Sequence, residues 1–531
     1  MERSLVKSAF RLTAGVFISR IIGMLYVFLF ARLVVPEGLA LYSYAYIPYG
    51  LFLDLATLGI PTGMTRLIAE QREEEKIAFS AWLYRRVRRL SFFFGVAMFL
   101  TLFWLSFPLA HLIVGGRAEV ENRVEDVRLV IQLISLALLI IPNLSLLRGI
   151  FNGLKRTSVT AFSQVFEQIV RVGFILISAY VLTRFFDVSY RPVVALAVLA
   201  ASLSGAVTWF ILSLHYRRLR QSIAGNRGGK PMILPIKRIL AYALPAVLIT
   251  FLFGVFNLVD TLTFNRAFSF GGHAHSEVQY ATYTFEVQKL VYLPLSLGVS
   301  FGTSFMVHGE DHRSDRLRHQ ITQAIEMVFF VLWPIILLLM VFSKEVYHLL
   351  FGTTIYGPQI LFTAAPLILP FALLHLFSGI MQRLDREWTF IRYLLIGVVL
   401  KVVLNIPLLM MFETSGAILS SYLGFMVPVG LSGIRVVREQ QLKTTFMVRR
   451  LVALTLIGII LSGLFWRIKA MFSIDDWSRW WQVLAVGGLA SLYSILYLLG
   501  CYGLGVLDCL FHRRLDLHDW FNKGKRLFIR S

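Results

Sequence analysis

Residues 127–152 read VRLVIQLISLALLIIPNLSLLRGIFN. Between Arg128 and Arg148 nineteen residues pass without a charged side chain. A helix needs about 20 predominantly apolar residues to cross the hydrocarbon core of a bilayer. A soluble amphipathic helix would break such a run with charges on its solvent face. The stretch therefore reads as a membrane-spanning helix.

Blocks of the same kind recur along most of the chain. They lie near 10–34, 43–69, 90–114, 127–152, 159–183, 192–215, 238–265, 278–306, 321–343, 359–382, 388–412, 415–437, 450–472 and 480–507. The whole is 57% hydrophobic and 15% charged, with a mean hydropathy of +0.71. A soluble chain carries about 25% charged residues. The expected class is all-α, a multi-pass membrane protein of about fourteen helices. The first block is longer than the apolar region of a signal peptide, and Arg20 interrupts it, so it is expected to remain as a helix.

The net charge of +22 would suit a nucleic-acid partner if it were clustered on one soluble face. Instead it alternates between loops. With both termini in the cytoplasm, the inner segments hold 34 Lys and Arg and the outer ones hold 7. That is the positive-inside pattern of a cell-membrane protein, and it requires no nucleic acid. Membrane lipids are the partners it predicts. The two cysteines, Cys501 and Cys509, cannot found a disulfide framework.

The longest polar interval contains Gly225-Asn226-Arg227-Gly228-Gly229-Lys230-Pro231, the composition of a linker. It follows the sixth span, and the parts on either side resemble each other. Gly15-Val16-Phe17 returns as Gly254-Val255-Phe256, and Leu58-Gly59-Ile60 as Leu297-Gly298-Val299, both at an offset of 239. Gly149-Ile150 returns as Gly379-Ile380, Arg156 as Arg386 and Arg171 as Lys401, at an offset of 230. Six helices separate the copies, so they run parallel, related by a pseudo-twofold axis along the membrane normal. The expected division is an N-lobe over 1–215, a basic cytoplasmic linker over 216–237, a C-lobe over 238–437, two further helices over 438–507, and an amphipathic cationic tail over 508–531.

Ionisable side chains inside spans point to function, because hydrocarbon penalises them unless protein or water receives them. Arg20 lies in the first helix, where a guanidinium suits phosphate oxygens or an ion pair. Asp54 in the second suits a partner for Arg20 or a coupling cation. Gln164, Glu167, Gln168 and Arg171 share one face of the fifth, as a cavity lining or as a seam in which Glu167 and Arg171 pair. Asp260 lies in the seventh helix, Glu286 and Lys289 in the eighth at pairing distance, and Lys401 in the eleventh. Arg20, Lys289, Asp54 and Glu286 are the expected substrate-contacting group. Gln164, Glu167, Arg171, Asp260 and Lys401 are cavity or structural.

Other patterns carry no chemistry. His308-Gly309-Glu310-Asp311-His312 falls in a charged loop, as do His273 and His275 on the other side. The glycines near Lys230 do not spell a nucleotide-binding loop. No nucleophile elbow or zinc signature is present, so no enzyme activity, metal or cofactor is expected beyond a coupling ion.

Three stretches carry a family resemblance: Ile18-Ser19-Arg20-Ile21-Ile22-Gly23, Ser135 to Leu138 continuing to Arg148-Gly149-Ile150-Phe151-Asn152-Gly153, and Ser163-Gln164-Val165-Phe166-Glu167-Gln168-Ile169-Val170-Arg171. They resemble the MurJ-like lipid II flippases of the MOP exporter superfamily. The Gram-positive branch, with the stage V sporulation protein B group and polysaccharide exporters, is the most similar. The resemblance implies two six-helix lobes plus two helices. It implies alternating-access transfer of undecaprenyl-pyrophosphate-linked sugars, foremost lipid II for peptidoglycan, from inner to outer leaflet. It also implies a monomer working beside the cell-wall synthesis machinery. Arg20 matches a family cavity arginine; Lys289 is the counterpart of an eighth-helix cation. Tyr26 stands where a second arginine is expected, and no arginine lies near Asp54. The alternatives are an exporter of another lipid-linked polysaccharide, or a cation-coupled drug exporter of the MATE type using Asp54, Asp260 and Glu286.

Overall fold

The computed structural model of the chain describes residues 19, 22–57, 59–72, 76–115, 120–221, 236–294, 315–442, 444–472 and 477–504. Every regular element among them is helical. In order these are α1 (Ile22–Leu33), α2 (Pro36–Thr57), α3 (Ile60–Ala69), α4 (Lys76–Val114), α5 (Val124–Ser135), α6 (Ile141–Gly153), α7 (Thr157–Phe185), α8 (Tyr190–Gln221) and α9 (Ile236–Gly271). Next, α10 opens as Ser276–Ala281, passes through a π-helical turn over Thr282–Val287 and continues over 288–294. Then follow α11 (Asp315–Val341), α12 (Ser343–Phe351), α13 (Gly357–Ala364), α14 (Ile368–Arg383), α15 (Glu387–Phe412), α16 (Thr414–Gln440), α17 (Thr444–Phe472) and α18 (Arg479–Gly503).

Among the described residues, eleven helical spans are long and apolar enough to cross a membrane, counting α5–α6 and α13–α14 as one each. The chain is thus a multi-pass membrane protein. The three remaining expected spans are those near 10–34, 43–69 and 278–306. Of the first, only Ser19 and the residues from Ile22 onward are described. The second is broken after Thr57, where Gly59 takes φ +61°, a conformation that side-chain-bearing residues rarely adopt. It becomes helices of 22 and 10 residues. The third is described only to residue 294. Arg20, Cys509, residues 308–312, the glycine-rich part of the linker and the tail over 508–531 lie outside the described residues.

Proline explains the break between α5 and α6. Pro142 cannot donate to residue 138 and its ring crowds that carbonyl. The chain tightens into a 3₁₀ turn over Leu136–Leu139 just before it. The corresponding pair α13–α14 has the same 3₁₀ joint over Ala365–Leu367, with Pro366 and Pro370. The offset of 230 also holds in backbone geometry. Lys155 and Asp385 both sit in the left-handed region, at φ 58° and 54°. Arg156 N donates to Phe151 O and Arg386 N to Met381 O, each at 2.8 Å. The two α6–α7 and α14–α15 connections are one turn used twice.

The chain packs as two compact units, residues 1–289 with 394–424, and residues 290–393 with 425–531. In the first, Met64, Ile68, Leu83, Leu147, Phe151 and Leu212 bring α3, α4, α6 and α8 together. Gly149 makes that packing possible: a Cβ there would lie 2.8 Å from both Cα and O of Pro61. In the second, Leu337, Val341, Leu454, Phe465, Tyr493 and buried Cys501 join α11, α17 and α18. Lys469 reinforces this contact by donating to Val341 O and Glu345. The outward faces of α17 and α18 are apolar, with Ile460, Trp466, Leu484 and Trp480 exposed, as suits lipid contact.

Candidate functional site

The polar face of α7 is a seam that joins four helices of the first unit. Glu167 pairs with Arg171, its i+4 neighbour, as the spacing predicts. It also accepts from Arg148 Nη2 of α6 at 2.7 Å. Arg148 Nε donates to Ser163 Oγ at 3.0 Å. Arg171 reaches Tyr46 of α2 at 3.3 Å and Ser204 of α8 at 3.4 Å. Two guanidiniums thus share one carboxylate, and the seam keeps a net positive charge. Arg148 is the member that the sequence reading left out. Its signal was visible: it is the lone charge that ends the nineteen-residue uncharged run. Gln164 accepts from Ser19 Oγ through its main-chain oxygen at 3.5 Å.

A second charged centre joins α9, α15 and α16. Lys401 and Asp260 are fully buried, at 0% and 1% exposure. Lys401 Nζ donates to Asp260 Oδ1 at 2.6 Å, Ser421 Oγ at 2.7 Å, and Ser420 Oγ and Ala417 O at 2.9 Å. Asn405 extends the network to Ser420 and Thr263. A charge removed from water is tolerable when paired and hydrogen-bonded; the Lys401 ammonium is saturated, while Asp260 Oδ2 is buried without a hydrogen-bond partner among the described residues. The sequence marked Lys401 as the repeat partner of Arg171 but gave no sign that Asp260, 141 residues away, is its counter-ion.

The remaining candidates are not drawn into either centre. Asp54, near the C-terminal end of α2, makes no side-chain hydrogen bond or ion pair among the described residues; only its main-chain oxygen accepts, from Thr57 at 3.1 Å. Lys289 on α10 likewise has no hydrogen-bond or ion-pair partner among them. Glu286 is buried and does not pair with Lys289, contrary to the i, i+3 expectation. The reason is local. Glu286 lies in the π-helical turn, whose i→i+5 bonding widens the helix and spoils α-helical neighbour spacing. His273 bonds Met410 O at 2.8 Å and approaches Glu413 at 3.3 Å. Among the described residues no group of three metal-donor side chains converges.

The seam, the buried pair and Lys289, which has no partner among the described residues, are charged centres of the first unit. A family model described as polysaccharide biosynthesis protein matches residues 5–307. Lipid II flippase MurJ of Bacillus subtilis (strain 168) is 30% identical over 548 aligned residues, covering 99% of each chain. Stage V sporulation protein B of the same organism is 21% identical over 399 residues, 72% of each chain. Among solved structures, a lipid II flippase MurJ in an inward closed conformation superposes with a TM-score of 0.64 at 13% identity, covering 94% of this chain and 99% of the other. An inward-facing MATE family multidrug resistance transporter of the MOP superfamily gives 0.56 at 16% identity, covering 82% and 99%. The fold is the one these transporters share, and the chain belongs to the polysaccharide biosynthesis protein family.

Proposed function

We propose that this protein is a flippase for undecaprenyl-pyrophosphate-linked sugar precursors, foremost lipid II, moving them from the inner to the outer leaflet by alternating access. The full-length similarity to a lipid II flippase supports the class. The observation in this chain that carries the reading is Lys289, an ammonium on a membrane helix with no partner among the described residues. Such a cation requires an anion or water. A pyrophosphate supplies the anion, and Arg20 is assigned the bidentate contact to the same group. The net positive seam of Arg148, Glu167 and Arg171 adds a favourable field. No bond is made or broken, so the protein works as a carrier and not as an enzyme. The reading includes cytoplasmic termini, a six, six and two division of the helices, and action as a monomer beside the cell-wall synthesis machinery.

The test is rescue of a strain depleted of its lipid II flippase, together with transfer of labelled lipid II in vesicles. The unaltered chain restores growth. Arg20→Ala and Lys289→Ala each abolish rescue at normal membrane levels, whereas Lys289→Arg retains part of it. One charge-assisted contact is worth about 1.5–3 kcal/mol, so vesicle transfer slows by roughly 10- to 100-fold. Full rescue by Lys289→Ala sinks its assignment. A second reading rests on Asp54, a carboxylate with no side-chain partner among the described residues: a cation-coupled drug exporter would use it. Drug resistance conferred on an efflux-deficient host, without flippase rescue, would favour that reading.

A further inference from the structure

A cavity of about 310 Å³ lies within the second unit, between the start of α11 and the α16–α17 connection. Asp315, Arg318 and Glu326 of α11 line one side; Leu442, Phe446, Met447 and Arg450 line the other. The connection is shaped locally. Gln441 ends α16 in the left-handed region at φ 50°, and Leu442 N donates to Val437 O at 3.1 Å, the bond that closes a helix C-terminus. The chain then starts α17 at Thr444. Two helices therefore begin at this cavity, and each brings the positive end of its dipole. Charge fixes its depth. Arg450 Nη1 donates to both oxygens of Glu326 at 3.0 Å, and Glu326 is 2% exposed. Beyond Glu326, α11 has no charged residue through Val341; beyond Arg450, α17 has none until Arg467. The pair is the last charge before the apolar part of each span, so the cavity sits where headgroups meet hydrocarbon.

The two arginines in the cavity are engaged differently. Arg450 is held by a buried carboxylate. Arg318 has a single side-chain partner among the described residues, Asp315 at 3.3 Å, and the Asp315 side chain is 97% exposed. A pair so open to water contributes little. Arg318 Nε is buried and has no hydrogen-bond partner among the described residues. This guanidinium is short of acceptors. Beside it, Leu442 and Met447 with Phe446, 61% exposed, form an apolar wall that is open to the membrane. The volume is at the small end of ligand pockets, which span about 300–1,000 Å³. It suits a phosphate with its glycerol and is too small for a lipid-linked sugar.

A cation short of acceptors, an apolar wall and headgroup depth together select a phosphate that carries acyl chains; basic pockets between membrane helices take anionic headgroups. We propose that this cavity binds the phosphodiester headgroup of an anionic glycerophospholipid, with Arg318 exchanging Asp315 for the phosphate and the acyl chains leaving past Phe446. The bound lipid braces the starts of α11 and α17 against each other. On the orientation proposed above, it comes from the inner leaflet. The site is additional to the carrier function and does not depend on what is carried.

The test uses the full chain, purified in detergent and stripped of lipid. The probes are dioctanoyl phosphatidylglycerol, dioctanoyl phosphatidylcholine and inorganic phosphate. Native mass spectrometry counts bound lipid, and the thermal midpoint follows binding, because a ligand held by the folded state alone raises it. Phosphatidylglycerol should bind more tightly than phosphatidylcholine. Losing a charge-assisted contact weakens binding by about tenfold or more, so Arg318→Ala should show a loss of that order and Arg318→Lys a smaller one. Phe446→Glu should also weaken binding. Asp315→Asn removes the carboxylate that competes for Arg318 and should tighten it, which a merely structural role for Arg318 would not produce. Arg316→Ala, at an exposed neighbour outside the cavity, should change nothing. Equal phosphatidylglycerol affinity in the unaltered chain and Arg318→Ala overturns the proposal, as does equal affinity for the two lipids. Displacement of the lipid by inorganic phosphate at equal concentration would assign the cavity to a soluble phosphate and overturn the lipid. Binding is read without transport, so this result and the flippase rescue stand or fall separately.

Discussion

Lys401 and Asp260 show how a single charge is kept in a bilayer. The ammonium has three protons to place and finds four oxygens within 2.9 Å. Neutralising one partner leaves the other buried and uncompensated, which costs about 3–5 kcal/mol. Asp260→Asn and Lys401→Met should each lower the thermal midpoint in detergent strongly, and the double substitution should recover most of the loss. Double and single variants with equal losses would show that the two charges do not depend on each other. Glu167 differs. Two arginines lean on it, so Glu167→Gln should destabilise the protein more than Arg148→Met, which leaves one balanced pair. None of these partners except Glu167 and Arg171 was legible in the sequence. Pairing at i+4 follows from helical spacing, whereas pairing across 141 residues depends on which helices touch.

At the level of elements, local rules reached further. Uncharged runs located the helices, and the offset of 230 matched Arg156 with Arg386, the residues that follow the left-handed Lys155 and Asp385; the joint at Pro142, inside what reads as one continuous span, was not anticipated. The split of the second span and the π turn in α10 were not anticipated. Hydropathy cannot see either, since it reports how apolar a stretch is and not which backbone conformation it takes. Gly149 offers a direct check on element packing. Its Cβ would strike the Pro61 backbone, which cannot swing aside as a side chain can. Gly149→Ala should therefore force α3 from α6 and cost about 1–3 kcal/mol. On α7, Gly173 has nothing within 4 Å of its would-be Cβ. Gly173→Ala should leave the thermal midpoint unchanged or raise it, since alanine favours helix. Equal losses at both sites would mean that helix propensity, not the contact with Pro61, governs Gly149.

For the whole molecule, charge makes the claim that packing cannot. Nothing in a helix bundle distinguishes its two ends, yet lysine and arginine are distributed 34 to 7 between the loops that alternate along the chain. Insertion retains basic loops on the cytoplasmic side. On the orientation proposed above, the connection at Lys155 is expected to face the cytoplasm and the segment before α10 the exterior. Both are exposed, so each can carry a reporter. In a background of Cys501→Ser and Cys509→Ser, Ala274→Cys should react with an impermeant maleimide on intact cells. Lys155→Cys should react only after the membrane is opened. Asp385→Cys, on the repeated turn, must behave as Lys155→Cys does if the repeats run parallel. Were Asp385→Cys to label from outside while Lys155→Cys did not, the repeats would be inverted.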